Sequence, residues 1–194
     1  FGDNLTWSVD AEGTLTISGT GAIPDFECVM GETPNYSYCG ANTPWHSYLI
    51  RKVIVDEGIT AVGSNALAYL EKMESISLPA SLRKLGTAAL LNDFGLKQIV
   101  LPENLETLGE SALFQCMGLS SLHIPAGVKS IGEYAIDGCR LDSITVDEAN
   151  TAFCAEDGVL YTKDKKELLA ITSNRTELTI PDSVTRVDSP LFFD

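Results

Sequence analysis

A glycine recurs every 23 residues through the middle of this 194-residue chain. Alanine recurs with the same period, three residues after each glycine, so whole segments are repeated. The positions are Gly63, Gly86, Gly109 and Gly132, and Ala66, Ala89, Ala112 and Ala135. A fixed period of about 20–50 residues is the signature of a solenoid, in which each unit packs only against its neighbours. The repeat therefore predicts a single elongated domain built by stacking.

Each copy begins with a short segment in which apolar residues alternate with polar or small ones. Alternation is the period of a strand with one buried face. The apolar pairs are Val53/Val55, Ile76/Leu78, Ile99/Leu101, Leu122/Ile124 and Ile144/Val146. Proline follows at positions 79, 102 and 125, where its missing N–H is expected to end the strand and turn the chain. For the second half of each copy we expect an extended turn, a glycine with positive φ, and one or two helical turns that bury alanine and leucine.

The clearest copy, residues 96–118, has the order L-x-x-I-x-L-P-x-x-L-x-x-L-G-x-x-A-L-x-x-C. This order resembles the BspA-type bacterial leucine-rich repeat, and the likeness extends from Ile50 to about Leu141. It implies a β-rich α/β solenoid, a right-handed leucine-rich-repeat coil with short parallel strands and about five to six 23-residue repeats. Individual positions depart from the pattern: Asp56 and Asp147 replace proline, and Leu70 and Asp93 stand where Cys116 and Cys139 recur.

The two ends of the chain do not follow the repeat. Residues 5–9 and 14–18 alternate around a Gly13 turn, which predicts a β-hairpin. We expect this hairpin and Trp45 to cap the first coil, and we expect residues 19–45 to form a long loop. The predicted division is a capping region, 1–49, and a repeat region, 50–194, within a single structural domain. A second hairpin is predicted inside an insertion at about 150–176, because the strand position of Val146 returns only at Ile180.

Charge restricts the partners that this chain can bind. It carries 13 basic and 27 acidic residues, a net charge of −14, and nucleic acids and anionic membranes require clustered lysine and arginine. We therefore expect no nucleic-acid binding. No apolar run approaches the roughly 18 residues of a spanning helix, so membrane insertion is not expected either. The chain begins with Phe1 rather than methionine, which suggests a removed leader and, together with the family resemblance, export to the surface or medium.

The chain has five cysteines. Cys116 and Cys139 share one repeat position and should stack at about the 5 Å spacing of adjacent strands, within disulfide reach. Two buried thiols or a disulfide are both compatible with that spacing. Cys28 and Cys39 in the cap loop are the stronger candidates for a disulfide, since a loop with little core gains most from a cross-link. Cys154 would then be unpaired.

Sequence motifs for catalysis or metal binding are absent. The two histidines, His46 and His123, lie in different units, and no paired metal-ligand spacing occurs. No nucleophile elbow or phosphate-binding glycine loop is found either. The acidic pairs 147–148 and 156–157 could hold Ca²⁺, although their spacing does not match an EF-hand and also suits solvated surface. We expect no enzymatic activity, no cofactor and no metal.

The outward strand positions form two predicted columns that make one continuous face of mostly small, uncharged side chains. The columns are Lys52, Ser75, Gln98, Ser121 and Ser143, and Ile54, Ser77, Val100, His123 and Thr145. Repeat proteins commonly bind macromolecules on such faces, so these positions are the predicted ligand-binding site. The resemblance implies adhesion to a host or bacterial surface protein or glycan. A solvated spacer and an accessory module of a larger surface protein are the alternatives, and the oligomeric state is undetermined.

Overall fold

The structure is a computed structural model that describes residues 4–33, 36–175 and 177–187, without the side chains of residues 28–41. Over these ranges the chain winds into a β-solenoid of about six turns with mainly parallel strands. The strands in the described ranges, numbered along the chain, are β1 (Leu5–Val9), β2 (Thr14–Gly19), β3 (Gly21–Ala22), β4 (Cys28–Thr33), β5 (Tyr36–Ala41), β6 (Lys52–Val55), β7 (Ile59–Val62), β8 (Ser75–Ser77), β9 (Lys84–Leu85), β10 (Thr107–Leu108), β11 (Ser121–Ile124), β12 (Ser130–Ile131), β13 (Ser143–Val146), β14 (Phe153–Glu156), β15 (Val159–Thr162), β16 (Glu167–Ile171) and β17 (Arg186–Val187).

The strands predicted at the start of each copy line one face of the solenoid. β1 pairs antiparallel with β2, which continues in parallel into β6 and β8. Farther along, β11 pairs in parallel with β13. Their inward residues, such as Val53 and Leu122, are buried in a single apolar core that runs through the coils.

The second half of each copy forms another parallel sheet, where the sequence had predicted only an extended turn. Its strand order is β12-β10-β9-β7-β3. Leu85 on β9 is paired with Leu108 on β10 and Val62 on β7, and all three side chains are fully buried. The solenoid therefore has two strand-bearing faces, and the core lies between them.

The helical turns predicted after each glycine are wrong, because the described residues contain no helix. Alternate N–H groups instead donate to carbonyl oxygens of the next coil, as in Leu67 to Ala89 at 2.9 Å and Leu90 to Ala112 at 2.9 Å. A helix would have satisfied these groups within its own segment. Because the hydrogen bonds between coils already satisfy these N–H groups, no helix is needed. The α component of the predicted α/β class is therefore absent from the described residues.

The repeated glycines do not have the positive φ that we predicted. The left-handed residues lie two positions later, for example Ala88 with φ of 53° and Ser111 with φ of 54°. The glycine is required by crowding instead, since a Cβ on Gly109 would lie 2.5 Å from the carbonyl carbon of Gly86. Backbones of consecutive coils approach each other at this position more closely than any side chain allows.

The N-terminal segment contains more regular structure than predicted. Residues 28–33 and 36–41, part of the expected long loop, form the antiparallel pair β4 and β5. The expected Cys28–Cys39 disulfide falls on side chains outside the described part of the chain. Trp45 is fully buried, donates from Nε1 to the Ala66 carbonyl oxygen at 3.2 Å, and packs edge-on against Trp7.

The insertion after β13 forms a three-stranded antiparallel arrangement, β14-β15-β16, whose last strand pairs in parallel with β17. Leu160 joins the main core from one side of this sheet. Tyr161 and Leu168 belong to a separate apolar cluster that also includes Leu178 and Val184 of the following coil. The insertion thus lies between two turns of the solenoid and packs against both.

Candidate functional site

The columns predicted from sequence are brought together by strand pairing. Lys52 lies opposite Ser75, and Ser75 forms an isolated parallel bridge with Gln98. The second half of the face repeats the arrangement, with Ser121 opposite Ser143. The second column follows the same register: Ile54 lies opposite Ser77, and His123 lies opposite Thr145. We call this surface, made of both columns, the strand face.

Side chains of the strand face are short and largely open to solvent. All ten positions are exposed except Ile54 and Ser75, which are half-buried. Val100 is 80% exposed, the largest value among the exposed large apolar residues of the described chain. His123 Nδ1 lies 2.9 Å from Thr145 Oγ1, a hydrogen bond between adjacent strands. The surface therefore offers hydroxyl, amide and imidazole groups around one apolar side chain.

An ion pair lies beside the strand face, where its two residues immediately precede Ser75 and Gln98 in the sequence. Lys97 Nζ donates to Glu74 Oε2 at 2.5 Å, and the hydrogen bond and charge of Lys97 lower the pKa of the Glu74 carboxyl. The two side chains are 67% and 51% exposed, so solvent screens the pair and it contributes little stability. These charges are available to a partner molecule.

The strand face is not one continuous hydrogen-bonded sheet, and that part of the prediction is wrong. β1-β2-β6-β8 and β11-β13 are separate sheets, and the copy between them pairs only through Gln98. Pro102 follows this copy's strand position and has no N–H to donate. Val100 lies in this irregular copy, at the middle of the face.

Residues considered for other chemistry are not assembled into a site. His46 lies in the N-terminal segment and His123 on β11. Asp147 Oδ1 accepts a hydrogen bond from Ala149 N at 2.8 Å, and Glu156 is paired with Lys165. Across the described ranges, no group of three or more His, Cys, Asp or Glu side chains is placed to hold a metal ion.

A buried acid, Asp93, lies in the same column of repeat positions as Cys116 and Cys139, and its sequence position alone predicted no role for it. Cys116 and Cys139 are free thiols that donate to carbonyl oxygens of the preceding coil, those of Leu90 and Leu113, each at 3.1 Å. Asp93 is completely buried at the equivalent position, where its Oδ1 accepts from Leu70 N at 2.7 Å and its Oδ2 has no partner in the described chain. Burial raises the pKa of the Asp93 carboxyl well above its usual range. The hydrogen bond with Cys139, followed by burial, raises the pKa of Cys116.

Asn150 is another buried polar residue that sequence reasoning missed. Its Nδ2 donates to the carbonyl oxygens of Pro125 and Val128, at 2.8 and 3.0 Å. Its Oδ1 accepts from the N–H groups of Ala152 and Phe153, both at 2.8 Å. The available signal was its register, 23 residues after Gly127 at a turn position.

A family model for the BspA-type leucine-rich repeat region matches residues 42–156 in six copies, more than half of the chain. The chain belongs to the BspA-type leucine-rich repeat family. This confirms the resemblance identified from residues 96–118. Curated proteins searched by sequence give no match to this BspA-type chain.

Solved structures of bacterial leucine-rich repeat proteins share the fold. A Eubacterium ventriosum leucine-rich repeat protein has a TM-score of 0.72 at 23% identity over 96% of this chain. The pneumococcal vaccine antigen PcpA has a TM-score of 0.59 at 18% identity over 97% of this chain. The T. pallidum leucine-rich repeat protein TpLRR has a TM-score of 0.51 at 21% identity over 73% of this chain. The match spans 54%, 60% and 68% of those chains, respectively.

Membership of a leucine-rich repeat family fits a surface-type protein with a role in binding. Proteins of such families are generally non-catalytic. Within the described residues, the structure has no helix with the length and apolarity needed to cross a membrane.

Proposed function

We propose that this BspA-type chain is a secreted or cell-surface recognition module that binds a protein or glycan partner through the strand face and catalyses no reaction itself. The observation that carries the proposal is the alignment of outward side chains, most of them polar and exposed, on β6, β8, β11 and β13. In repeat proteins an extended face of this kind is the usual binding surface.

The shape and chemistry of the strand face favour a protein partner. Small ligands prefer concave apolar pockets, whereas this face is flat and presents hydroxyl and amide groups around exposed Val100. An apolar side chain surrounded by polar groups matches the general composition of a protein interface, with an apolar centre and a polar rim. The imidazole of His123 and the ammonium of Lys52 add positions for charge-assisted hydrogen bonds.

The proposal includes an adhesion role and an organisation of the chain. Residues 1–49 act as the capping region, with β1 and β2 covering the first coil, and residues 50–194 act as the repeat region of one structural domain. The surface location is supported by the family and by the vaccine antigen among the structures of the same fold. The partner is a host or bacterial surface protein or glycan, and neither nucleic acid nor a cofactor is involved.

A binding screen tests this proposal. The purified chain is presented to an array of extracellular-matrix proteins and bacterial and host glycans, and saturable binding is measured on each positive spot. The proposal predicts saturable binding to at least one component. Silence across the array would contradict it and favour a passive spacer within a larger surface protein.

A further inference from the structure

The insertion between two turns of the solenoid creates a cleft that the repeats alone would not form. Its volume is about 440 Å³, within the 300–1,000 Å³ typical of small-ligand sites. In solenoids, insertions into individual repeats often form the binding surface. The lining residues are Glu156, Asp157, Tyr161, Lys165, Arg175, Glu177, Thr179 and Pro181, and we call this site the insertion cleft.

Tyr161 forms the floor of the insertion cleft. Its ring packs in the apolar cluster with Val159 and Leu168, and only 4% of the residue is exposed. Because Tyr161 lines the cleft, that exposed fraction faces into it. The phenol oxygen makes no hydrogen bond with the described residues and is not one of their buried unpaired polar atoms, so solvent reaches it. Burial raises the pKa of Tyr161, so the neutral hydroxyl is available as both donor and acceptor.

The polar groups on the two walls of the cleft differ in whether they are paired with other residues. On one wall, Arg175, Glu177 and Thr179 line the cleft, and all three residues are exposed. Arg175 and Glu177 form no ion pair or hydrogen bond with described residues. On the other wall, the ion pair of Lys165 with Glu156 spans the hairpin. The lining of the cleft, which includes Tyr161, therefore contains both paired and unpaired polar groups.

The charges of the cleft discriminate between ligand classes. Two cations, Lys165 and Arg175, stand against three carboxylates, Glu156, Asp157 and Glu177, so a phosphate, sulfate or polyanion gains no net attraction. An apolar ligand would displace water from these polar groups without offering them a hydrogen bond, which is unfavourable. A polyhydroxylated molecule can donate to the carboxylates and accept from the guanidinium, ammonium and phenol at once.

We propose that the insertion cleft binds a neutral saccharide of one or two sugar rings, with the Tyr161 hydroxyl and the Arg175 guanidinium as hydrogen-bonding anchors. This site is separate from the strand face, since its residues come from β14, β15, the turns that follow these two strands, and Arg175, Glu177, Thr179 and Pro181. The inference therefore does not depend on the proposed function.

The test is saturation-transfer NMR on the purified chain, followed by titration. The probes are glucose, galactose, mannose, N-acetylglucosamine, lactose and maltose, with glucuronic acid and inorganic phosphate as anionic comparisons. We expect at least one neutral sugar to bind with millimolar or tighter affinity. Its affinity should fall at least tenfold in Tyr161→Phe, which removes one oxygen atom and leaves the ring, and also in Arg175→Gln. Lys163→Gln, an exposed change elsewhere on the same hairpin, should leave binding unchanged.

Three results would overturn the inference: no binding of any neutral sugar, equal affinity in Tyr161→Phe and the parent chain, or preference for glucuronic acid or phosphate. Thermal unfolding of each variant shows whether the fold persists. The strand-face variant Gln98→Glu/His123→Glu separates this inference from the proposed function. It should bind the sugar normally, and loss of sugar binding in that variant would place the saccharide on the strand face instead.

Discussion

Gly86 and Gly109 occupy the same position in consecutive coils, so close together that a Cβ on Gly109 would lie 2.5 Å from the Gly86 carbonyl carbon and 2.6 Å from its oxygen. The N–H of Gly109 itself donates to the Leu85 carbonyl oxygen at 2.8 Å. These backbone contacts set the separation of the coils. Glycine therefore recurs in the sequence at the positions where the backbones of consecutive coils approach each other most closely.

Gly109→Ala should destabilise the chain by at least 1–3 kcal/mol, because overpacking against backbone cannot be relieved by a change of rotamer. Chemical denaturation measures the free energy of unfolding. Glu110→Ala, the adjacent exposed position, is the control and should change it by less than about 0.5 kcal/mol. Equal effects of the two substitutions would show that the coils are not in close contact at this glycine.

Ala88 and Ala89 are adjacent buried alanines for which glycine should have opposite effects. Ala88 has φ of 53°, and the left-handed region costs a residue with a Cβ about 1–2 kcal/mol. Ala88→Gly relieves that cost and should leave stability unchanged or raise it by up to about 1 kcal/mol, after the entropy cost of glycine. Ala89→Gly has no such cost to relieve and removes a fully buried methyl group, so it should destabilise the fold. A larger loss for Ala88→Gly than for Ala89→Gly would contradict the left-handed assignment.

Asn150 fastens the start of the insertion to the preceding coil through four hydrogen bonds. Asn150→Ala leaves buried backbone groups unsatisfied, at about 1–3 kcal/mol for each group that water cannot reach. We expect a loss of several kcal/mol in denaturation. Asn104→Ala is the matched control, since Asn104 is exposed and donates only to the Ala80 carbonyl oxygen. Comparable losses in the two variants would show that burial at Asn150 is not maintained in solution.

Asp93 should make stability depend on pH. Its pKa is raised in the folded chain, so the folded state holds a proton that the unfolded state releases above about pH 3.9. The stability associated with that proton is fully present below the unfolded pKa and is lost as pH rises towards the folded pKa, by about 1.4 kcal/mol per pH unit.

Asp93→Asn removes this ionisation while keeping the acceptor for Leu70 N, so the variant should gain stability over the parent as pH rises from 4 to 7. The exposed control Asp142→Asn should show no such gain. Denaturation midpoints at several pH values provide the measurement. A difference between Asp93→Asn and the parent that stays constant with pH would mean that the carboxyl is not buried.

The parts of the fold that sequence predicted are those in which every copy carries the same residue type. Leu122 and Ile124 alternate with the polar residue His123, and both are buried on the inner side of the first face. The left-handed position was not predictable in the same way. Asn65, Ala88, Ser111 and Tyr134 share it, and only asparagine among these residue types favours it. Hydrogen bonds between coils, such as Ala88 N to the Glu110 carbonyl oxygen at 2.8 Å, impose the conformation from outside the segment.

Long-range geometry also explains what was missed at the candidate sites. The strand face could be assigned because its columns follow from a period of 23 residues. The insertion cleft could not, because Tyr161 and Arg175 meet only after the hairpin folds between two coils. The break between β8 and β11 was hidden for a similar reason, since the copy around Gln98 has the clearest repeat sequence but pairs on the strand face through a single bridge.

The most direct test of the central claim is the affinity of three purified chains for whichever partner the binding screen identifies. These are the parent, the strand-face variant Gln98→Glu/His123→Glu, and a matched variant, Thr60→Glu/Ser130→Glu, which places the same two glutamates at exposed positions of the second sheet. We predict that the strand-face variant loses at least tenfold in affinity at an unchanged melting temperature, while the matched variant binds like the parent. Equal affinities for all three chains would contradict the assignment of the binding site to the strand face.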